Sequence, residues 1–305
     1  MSFKFSIELN KIESLSKGSK VNRFLHRPFS YAFALFFKKI YYPFFKKEHI
    51  TETLLFTNNT ILVALPAATD LYILGGKSHI SEINLARFLL QNLKENSVFW
   101  DIGSHYGYFS FVANSVIRES GKIIAIEAAK DTFEILKYNC KNIKEIQVYN
   151  YAISDCDKDL YFYEFPNKFS EYNSLDIEQY KEMKWFSKVD YNKTLIEGIS
   201  LNTLYEKTGE FPDIIKIDVE GGEANAIKGG LHLWGSNNKA PIIVMEYLSA
   251  ARGNDAHKIA KSVLQEFGYE SFTINSLGNT EMCSNIENHL LEKGLESDNI
   301  VFIKN

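Results

Sequence analysis

The sequence is poor in the residues that mark disulfide-rich and membrane-spanning proteins. Only three of its 305 residues are cysteine, Cys140, Cys156 and Cys283, and no two of them form a Cys-x-x-Cys pair. Such usage excludes a secreted disulfide scaffold and indicates reduced thiols in a cytoplasmic protein. No window reaches the ~18 consecutive apolar residues of a spanning helix. The first twenty residues also lack the apolar core of a secretory signal.

A strong excess of charge is absent as well. The formal net charge is −4, and only six residues are proline. This balance gives no sign of a nucleic-acid partner. With 45% hydrophobic residues and no long linker, the chain can bury one large core. We therefore expect an N-terminal extension over residues 1–79 and a main domain over residues 80–305.

One segment of the extension departs from this average. Residues 17–47 contain eight basic residues and no Asp or Glu, interleaved with Phe and Tyr. A basic aromatic stretch can make weak peripheral contact with an anionic membrane, here at its inner face. The alternative is a helical arm packed on the main domain with its lysines in solvent, and Pro28 and Pro43, which limit the arm to a short helix, favour it. Alternating runs at 51–64 and 70–74 then predict a small hairpin.

The main domain alternates strands with helices, which predicts an α/β fold with a doubly wound, mostly parallel sheet. Two late strands at 269–274 and 299–304 predict an antiparallel C-terminal edge. Residues 155–205 interrupt the alternation, and an insertion of this size typically forms a lid or acceptor surface. The predicted core strands are 98–102, 122–127, 146–151, 213–219 and 241–246, and the predicted helices are 82–93, 107–118, 131–141, 223–230 and 255–267.

A glycine-containing loop follows the first core strand. It reads Asp101-Ile-Gly103-Ser104-His105-Tyr-Gly107 and leads into an apolar helix. Glycines at such a junction let backbone N–H groups approach a ligand closely, and the aspartate offers a carboxylate to a cationic or donor-rich group. The loop lacks the G-x-G-x-x-G spacing of dinucleotide folds.

The next strand ends in Glu127, where doubly wound folds place the carboxylate that binds a ribose diol. A glycine loop with a ribose acid indicates an adenosine-bearing ligand. The missing pyrophosphate loop favours S-adenosylmethionine over NAD. We therefore assign the loop residues Asp101, Gly103, Ser104 and Gly107, together with Glu127, to cofactor binding.

Acidic residues cluster after two later strands. Asp218 and Glu220 follow a strand of isoleucines, and Glu246 ends the next strand. Carboxylates at this rim can remove the proton of an acceptor hydroxyl, or they can bind a divalent cation that polarises it. We favour the base role for Asp218 and Glu220, with Asp218, Glu220 and Glu246 as the less favoured metal set. The loop histidine, His105, is a further candidate base.

These blocks together resemble the FkbM family of S-adenosylmethionine-dependent methyltransferases. The resemblance covers about residues 80–250 and is carried by 99–110, Glu127, Asn139, 152–155, 200–204, 215–223 and 241–246. It implies the class I methyltransferase fold, a cofactor contact at Asp155, and methylation of a hydroxyl on a glycan or natural-product acceptor. The family usually has Ala-Asn in place of Ser104-His105, and Asp in place of Asn202.

Two other functions compete with this one. A nicotinamide-dependent oxidoreductase is disfavoured by the absent third glycine and by the lack of a Tyr-x-x-x-Lys pair near a helix. A non-catalytic adaptor at a membrane surface, using the basic arm, would need a broken cofactor loop or broken rim acids. Both motifs are intact in the sequence.

Overall fold

The computed structural model describes residues 2–181, 183–236 and 239–304. Its helices are α1 Ser2–Lys17, α2 Lys20–His26, α3 Pro28–Phe36, α4 Tyr42–Phe45, α5 Thr69–Leu74, α6 Ile80–Asn92, α7 Tyr108–Asn114, α8 Lys130–Cys140, α9 Leu201–Thr208, α10 Glu223–Lys228, α11 Leu231–Trp234, α12 Asp255–Glu266 and α13 Ile286–Lys293. Its strands are β1 His49–Leu54, β2 Thr60–Leu65, β3 Val98–Ile102, β4 Lys122–Ile126, β5 Ile146–Tyr149, β6 Ala152–Ile153, β7 Lys158–Glu164, β8 Asn192–Ile199, β9 Ile214–Ile217, β10 Ile242–Leu248, β11 Tyr269–Ile274, β12 Thr280–Met282 and β13 Ser297–Lys304.

The centre of the molecule is an eight-stranded sheet in the order β12-β11-β13-β10-β9-β3-β4-β5. The strands from β10 to β5 pair in parallel. Strand β13 is antiparallel to both neighbours, and β12 is antiparallel to β11. The predicted α/β fold, mostly parallel with an antiparallel C-terminal edge, is confirmed. The pairing adds that the last strand of the chain lies inside this edge, between β10 and β11.

Helices cover both faces of the sheet, as its side-chain alternation requires. In β3, Phe99 joins a core with Phe88 of α6 and Phe111 of α7. The next residue, Trp100, joins a second core with Leu264 of α12. All of these side chains are almost completely buried. Burial on both faces explains why the central strands are nearly continuous apolar runs.

The register of the parallel strands decides where the polar residues emerge. Ile217 of β9 is paired with Ile102 of β3 on one side and with Met245 of β10 on the other. The residues after Ile217 and Ile102 therefore leave the sheet at one edge, and Glu246 lies at this edge while β10 continues to Leu248 beside β13. Ligands of open α/β sheets bind at this carboxyl edge.

The N-terminal extension packs on one face of the sheet. Phe5, Leu9 and Ile12 of α1 belong to the same core as α6 and α7. Arg87 of α6 reaches back to Glu13 with a 2.6 Å ion pair. The predicted boundary between residues 79 and 80 stays a prediction, although the two segments share one core.

The hairpin prediction was right for β1 and β2 but wrong for residues 70–74. That segment is helix α5, with the left-handed Gly75 as its C-cap. Leu71, Ile73 and Leu74 are buried on it. In a segment of six residues, the apolar and polar positions of a short helix can look like the alternation of a strand. The glycine that caps the helix was the signal against a strand, and the prediction did not use it.

Strands β7 and β8 of the insertion at 155–205 pair with β6, which precedes the insertion, in a separate small sheet of order β6-β8-β7. Beside it lies a cluster of aromatic side chains around the buried Phe165 and Tyr180, including Tyr172, Trp185 and Phe186. Trp185 stacks on Phe169 with ring centroids 4.8 Å apart. Most of the aromatic residues of the insertion therefore pack against one another.

Candidate active site

A cavity of about 570 Å³ opens at the carboxyl edge of the sheet. This volume lies within the range of small-molecule sites. The predicted site residues that line it are Gly103, His105, Glu127, Asp218, Glu220 and Glu246. Asp101, Ser104 and Gly107 are buried and do not line the cavity, and the exposed Asp155 does not line it either.

Gly103 occupies the sharpest point of the loop. Its φ of +75° is disfavoured for other residues, and a Cβ there would overlap the carbonyl oxygen of Asp218. Its N–H donates to the carbonyl of Ile126 over 3.0 Å, and Ser104 N–H donates to the same carbonyl over 2.9 Å. Gly107, at φ +91°, is the N-cap of helix α7. The two glycines thus bring β3, β4 and the Asp218 backbone together at the cavity.

Asp101 is completely buried and faces a lysine that the sequence analysis did not single out. Lys216 of β9 places Nζ 3.6 Å from Asp101 Oδ1 and 3.1 Å from Asp218 Oδ2. It also donates to the Gly103 carbonyl over 2.8 Å. Burial lowers the pKa of Lys216, but the Asp218 and Asp101 carboxylates outweigh burial and raise it. Asp101 is thus held by Lys216 and by Ser110 Oγ at 2.6 Å.

The sequence does contain a signal for the pairing of Lys216 with Asp101, which is the presence of a lysine among the isoleucines of β9. Lys216 is 3% exposed, and a lysine is almost never buried unless it is paired. The direct cofactor contact predicted for Asp101 stays a prediction. The geometry gives its carboxylate a second task, which is to hold Lys216 beneath the loop.

Glu127 lines the cavity while its carboxylate holds the loop. Oε2 accepts a hydrogen bond from His105 N–H over 2.8 Å, and Oε1 accepts one from Ala129 N–H over 2.9 Å. Burial raises the pKa of Glu127 to about 7, although these two hydrogen bonds act to lower it. Asn150, which the sequence analysis missed, donates to the carbonyls of Glu127 and Ala128. A fixed carboxylate facing the cavity fits the predicted diol-binding role.

His105 has a backbone φ of +50°, which is uncommon for a residue with a side chain. Its ring lies 3.8 Å from the Tyr106 ring centroid, and Nε2 lies 3.3 Å from Ser170 Oγ of the insertion. Burial, with Lys77 adding repulsion, lowers the pKa of His105 to about 3. The imidazole is therefore neutral at physiological pH and has little affinity for a proton.

The three rim acids come together as predicted. Each of Asp218, Glu220 and Glu246 contributes one carboxylate oxygen to a group of three that lie within 4.8 Å of one another. Burial raises the pKa of Glu246 to about 8, with repulsion from Asp218 adding to it. Burial also raises the pKa of Glu220 well above its usual range, and Glu246 and Asp218 add to this. Such a group either retains a proton near neutral pH or binds a cation.

Polar contacts from the insertion and from α10 fix the loop that carries these acids. Tyr180 OH donates to Glu220 Oε2 over 3.1 Å, and Ser174 Oγ donates to the Glu220 carbonyl. Glu220 has φ +51°. Glu223, at the start of α10, accepts from Gly221 N–H over 3.3 Å and lies 3.4 Å from His257. Glu223 therefore positions the loop rather than facing the cavity.

Several charged residues of the cavity wall were missed from the sequence. Lys77 forms a 2.8 Å ion pair with Glu82, and both line the cavity. Arg252 also lines it and pairs with Glu296 over 2.9 Å. Arg252 Nε is buried and lacks a hydrogen-bond partner among the described residues. Lys77 and Arg252 lie outside the α-helices and strands, in segments that carry no recognisable motif, and only the fold brings them to the site.

Asp155 is exposed and is not part of the cavity wall. Its carboxylate accepts hydrogen bonds from Ser154 Oγ at 3.2 Å and from Cys156 Sγ at 3.1 Å. The neighbouring Ala152 and Ile153 line the cavity instead. The cofactor contact predicted for Asp155 stays a prediction. Asn202, where the family usually has Asp, accepts from His232 N–H over 3.2 Å and joins α9 to α11.

Comparison with known families decides the assignment. Residues 101–271, more than half of the chain, match the methyltransferase FkbM domain. The chain belongs to the FkbM methyltransferase family. Residues 34–164 also match the protein-L-isoaspartate (D-aspartate) O-methyltransferase family. The predicted resemblance and the predicted enzyme class, an S-adenosylmethionine-dependent methyltransferase, are confirmed at the level of the family.

Individual relatives are distant. The hexuronic acid methyltransferase AglP of Haloferax volcanii is 26% identical over 151 residues, which are 48% of this chain and 56% of that protein. The chain thus matches about half the length of this curated relative. The FkbM methyltransferase from Methylobacillus flagellatus KT is 12% identical, covering 77% of this chain and 52% of that one, with a TM-score of 0.43. A precorrin-6y C5,15-methyltransferase from Geobacter metallireducens GS-15 is 14% identical, covering 73% and 87%, with a TM-score of 0.39.

The cavity of this FkbM family member fits the cofactor that the family implies. Gly103 exposes backbone to the cavity at a point where a Cβ has no room. Glu127 presents an anchored carboxylate at the end of the neighbouring strand. These are the two features that an adenosyl ligand requires at this edge of a doubly wound sheet.

Proposed function

We propose that this chain is an S-adenosylmethionine-dependent O-methyltransferase that methylates a hydroxyl of a sugar or natural-product acceptor. The observation that carries the proposal is the position of the three rim acids. Asp218, Glu220 and Glu246 line the same cavity as Gly103 and Glu127. A proton acceptor thus lies beside the pocket for the methyl donor.

In this proposal one side of the cavity binds the cofactor and the other side binds the acceptor. Gly103 and Glu127 would hold S-adenosylmethionine, with Asp101, Ser104 and Gly107 fixing the loop from behind. When bound, this cofactor supplies an electrophilic methyl group. The chain's own task is to orient the acceptor oxygen and take up its proton.

Among the rim acids, Glu246 is the best matched to proton transfer. Its pKa of about 8 lies near physiological pH, where a general base works best. Asp218 is held by the Lys216 ammonium at 3.1 Å, so its carboxylate has a fixed position beside the acceptor. His105 is a weaker candidate, because its pKa of about 3 gives it little affinity for a proton. We therefore propose that Asp218 orients the hydroxyl while the Glu220–Glu246 pair receives the proton.

A second candidate reaction is methyl esterification of a uronic acid. It is favoured by Arg252, whose guanidinium lines the cavity and could pair with an acceptor carboxylate, and by the substrate in the printed name of AglP. Three rim acids would repel such a carboxylate, however, and an ionised acceptor needs no base. The hydroxyl is therefore the better acceptor for this cavity.

One experiment separates these reactions. The protein is incubated with methyl-labelled S-adenosylmethionine and fractions of neutral sugars, uronic acids and host glycans, and the labelled product is then treated with mild alkali. We expect label that survives alkali, because methyl ethers are stable to it and methyl esters are hydrolysed. Alkali-labile label would establish the esterification instead. Saturable NADH binding without S-adenosylmethionine binding would overturn the methyltransferase proposal.

A further inference from the structure

Helix α3, the π-helical turn Phe37–Tyr41 after it and α4 have one buried and one exposed apolar face. Tyr31, Ala34 and Phe37 are buried against the protein. The exposed residues include a series spaced by four, three, four and four positions, which we call the aromatic stripe: Phe29, Phe33, Phe36, Ile40 and Phe44. This spacing places the members of the stripe along one side of a helix.

The exposure of the stripe is high for side chains of this type. Phe29 is 90% exposed, Phe44 is 80% exposed, and Phe36 and Ile40 are each at least half exposed. Contiguous exposed apolar surface usually marks a contact with another molecule or a lipid surface. The packed arm and the membrane contact, set out above as alternatives, are therefore compatible, because they use different faces of one segment.

The charge around the stripe identifies its partner. Residues 14–47 contain no Asp or Glu. Lys38 and Lys39 lie between Phe36 and Ile40, and Lys46 and Lys47 follow Phe44 and Phe45. Within the described part of the chain, no ion-pair partner is recorded for these four lysines. Phenylalanines with unpaired lysines are the composition of segments that lie in an anionic lipid interface.

Two arginines of the arm, Arg23 and Arg27, hold it in place. Arg27 donates to the carbonyls of Tyr72 and Leu54, and Arg23 donates to carbonyls at the end of α1. Tyr42 OH accepts from Lys168 N–H of the insertion over 3.4 Å. The stripe is thus presented on an anchored segment, so ordering it at a surface carries little extra entropic cost.

The arm also borders the active-site cavity. Arg23 and Lys38 line the same cavity as Gly103, Asp218 and Glu246. We infer that the aromatic stripe docks this protein on an anionic lipid surface and brings the cavity next to it, so that the acceptor is a sugar carried by a membrane-anchored molecule. The second half of this inference depends on the proposed function. Among the described residues, no helix is long and apolar enough to cross a membrane, and docking of this kind needs none.

The docking test uses the full chain and vesicle co-sedimentation. Wild-type protein is mixed with vesicles of phosphatidylcholine alone and of phosphatidylcholine with one quarter phosphatidylglycerol. We expect binding to the anionic vesicles that falls at high salt, where the screening length shrinks to about 3 Å at 1 M. The double variant Phe29→Ser/Phe44→Ser should lower the partition coefficient at least about tenfold. Lys46→Glu/Lys47→Glu should lower it at least about fivefold.

Matched variants of exposed residues elsewhere provide the control. Leu277 is 68% exposed and Leu291 is 80% exposed, so Leu277→Ser/Leu291→Ser removes a similar exposed apolar surface and should leave the partition coefficient unchanged. Equal binding of wild-type and stripe variants, both folded by circular dichroism, would overturn the inference. A dimer that forms through the stripe and dissociates in Phe29→Ser/Phe44→Ser would also overturn it, because a second copy would then be the partner.

The inference that the acceptor is carried by a membrane-anchored molecule is tested with one sugar in two forms, free and attached to a lipid in the same vesicles. We expect the lipid-linked form to be methylated with at least about tenfold higher kcat/KM, and this advantage to disappear in the stripe variant. Equal rates on both forms would overturn the membrane-bound acceptor while leaving the methyltransferase proposal intact. Failure of the proposed function gives a different result, namely vesicle binding without S-adenosylmethionine binding in calorimetry.

Discussion

The ammonium nitrogen of Lys216 lies 3.1 Å from Oδ2 of Asp218, beneath the loop that shapes the cofactor side of the cavity. The same nitrogen faces the buried Asp101 and donates to the carbonyl of Gly103. One side chain therefore joins the end of β3, the glycine loop and the first rim acid. Its ammonium group faces both carboxylates and offsets their mutual repulsion.

Replacing Lys216 with methionine should destabilise the fold. The change leaves the buried Asp101 without its cation, and removing one partner of a buried pair typically costs about 3–5 kcal/mol. Urea unfolding measures the loss. The matched control is Lys239→Met, which removes an exposed ion pair with Asp213 and should cost at most about 1 kcal/mol. Equal losses in the two variants would contradict the role of Lys216.

The central fold was predictable because each of its elements has a local signal. The apolar runs of β3, β4 and β9 determine the parallel sheet, and the acids after β9 and within β10 lie at the same edge. The partners of these acids were not predictable. Lys77 and Arg252 reach the cavity from irregular segments, and their contribution depends on long-range packing that no spacing in the sequence records.

The stereochemistry of Gly103 predicts a large effect for a single added methyl group. In Gly103→Ala, the Cβ would overlap the carbonyl of Asp218, so the loop must move and both stability and S-adenosylmethionine affinity should fall. Gly209→Ala is the control, because Gly209, the C-cap of α9, is in the left-handed conformation with a similar φ of +69° but has no atom within 4 Å of its Cβ position. The control should lose only about 1–2 kcal/mol of stability from the left-handed conformation. Calorimetry and urea unfolding on both variants test this, and an equal effect would contradict it.

Glu127→Gln should weaken S-adenosylmethionine binding about tenfold to a hundredfold, because a charged hydrogen-bond acceptor is lost. In the wild type, affinity should rise as pH increases through about 7, where Glu127 loses its proton. The variant should show no such rise. Titration calorimetry from pH 6 to 8 measures both effects, with the exposed Glu134→Gln as control. An unchanged affinity in Glu127→Gln would remove this residue from the cofactor site.

Stability should also depend on pH through Glu246. Its pKa in the folded protein is raised to about 8, so the folded state binds more protons than the unfolded state between its ordinary pKa and about 8. The free energy of unfolding should therefore fall as pH rises through this window, by at most about 1.4 kcal/mol per pH unit for one proton. Glu246→Gln should flatten the dependence, whereas Glu266→Gln, on the exposed end of α12, should not. A wild-type stability that rises over this window would contradict the assignment.

The choice between base and metal chemistry can be made at the rim acids. If Glu246 receives the acceptor proton, kcat/KM should increase with pH up to about 8 and then level off, because only the deprotonated carboxylate is a base. Activity should survive chelation, and Glu246→Gln should lose at least about a hundredfold in kcat with S-adenosylmethionine affinity unchanged. Asp218→Asn should lose activity too, with a raised KM for the acceptor, since in this scheme it orients the hydroxyl.

A cation held by Asp218, Glu220 and Glu246 would produce different results from the same measurements. Chelation would abolish turnover, and added Mg²⁺ or Mn²⁺ would restore it. The pH at which kcat/KM levels off would also shift below 8, because the cation repels the proton. Loss of activity on chelation with full recovery on adding the ion would therefore replace the base assignment with the metal one. If both Asp218→Asn and Glu246→Gln keep near-normal turnover on an identified acceptor, neither assignment holds, and His105 would become the residue to test.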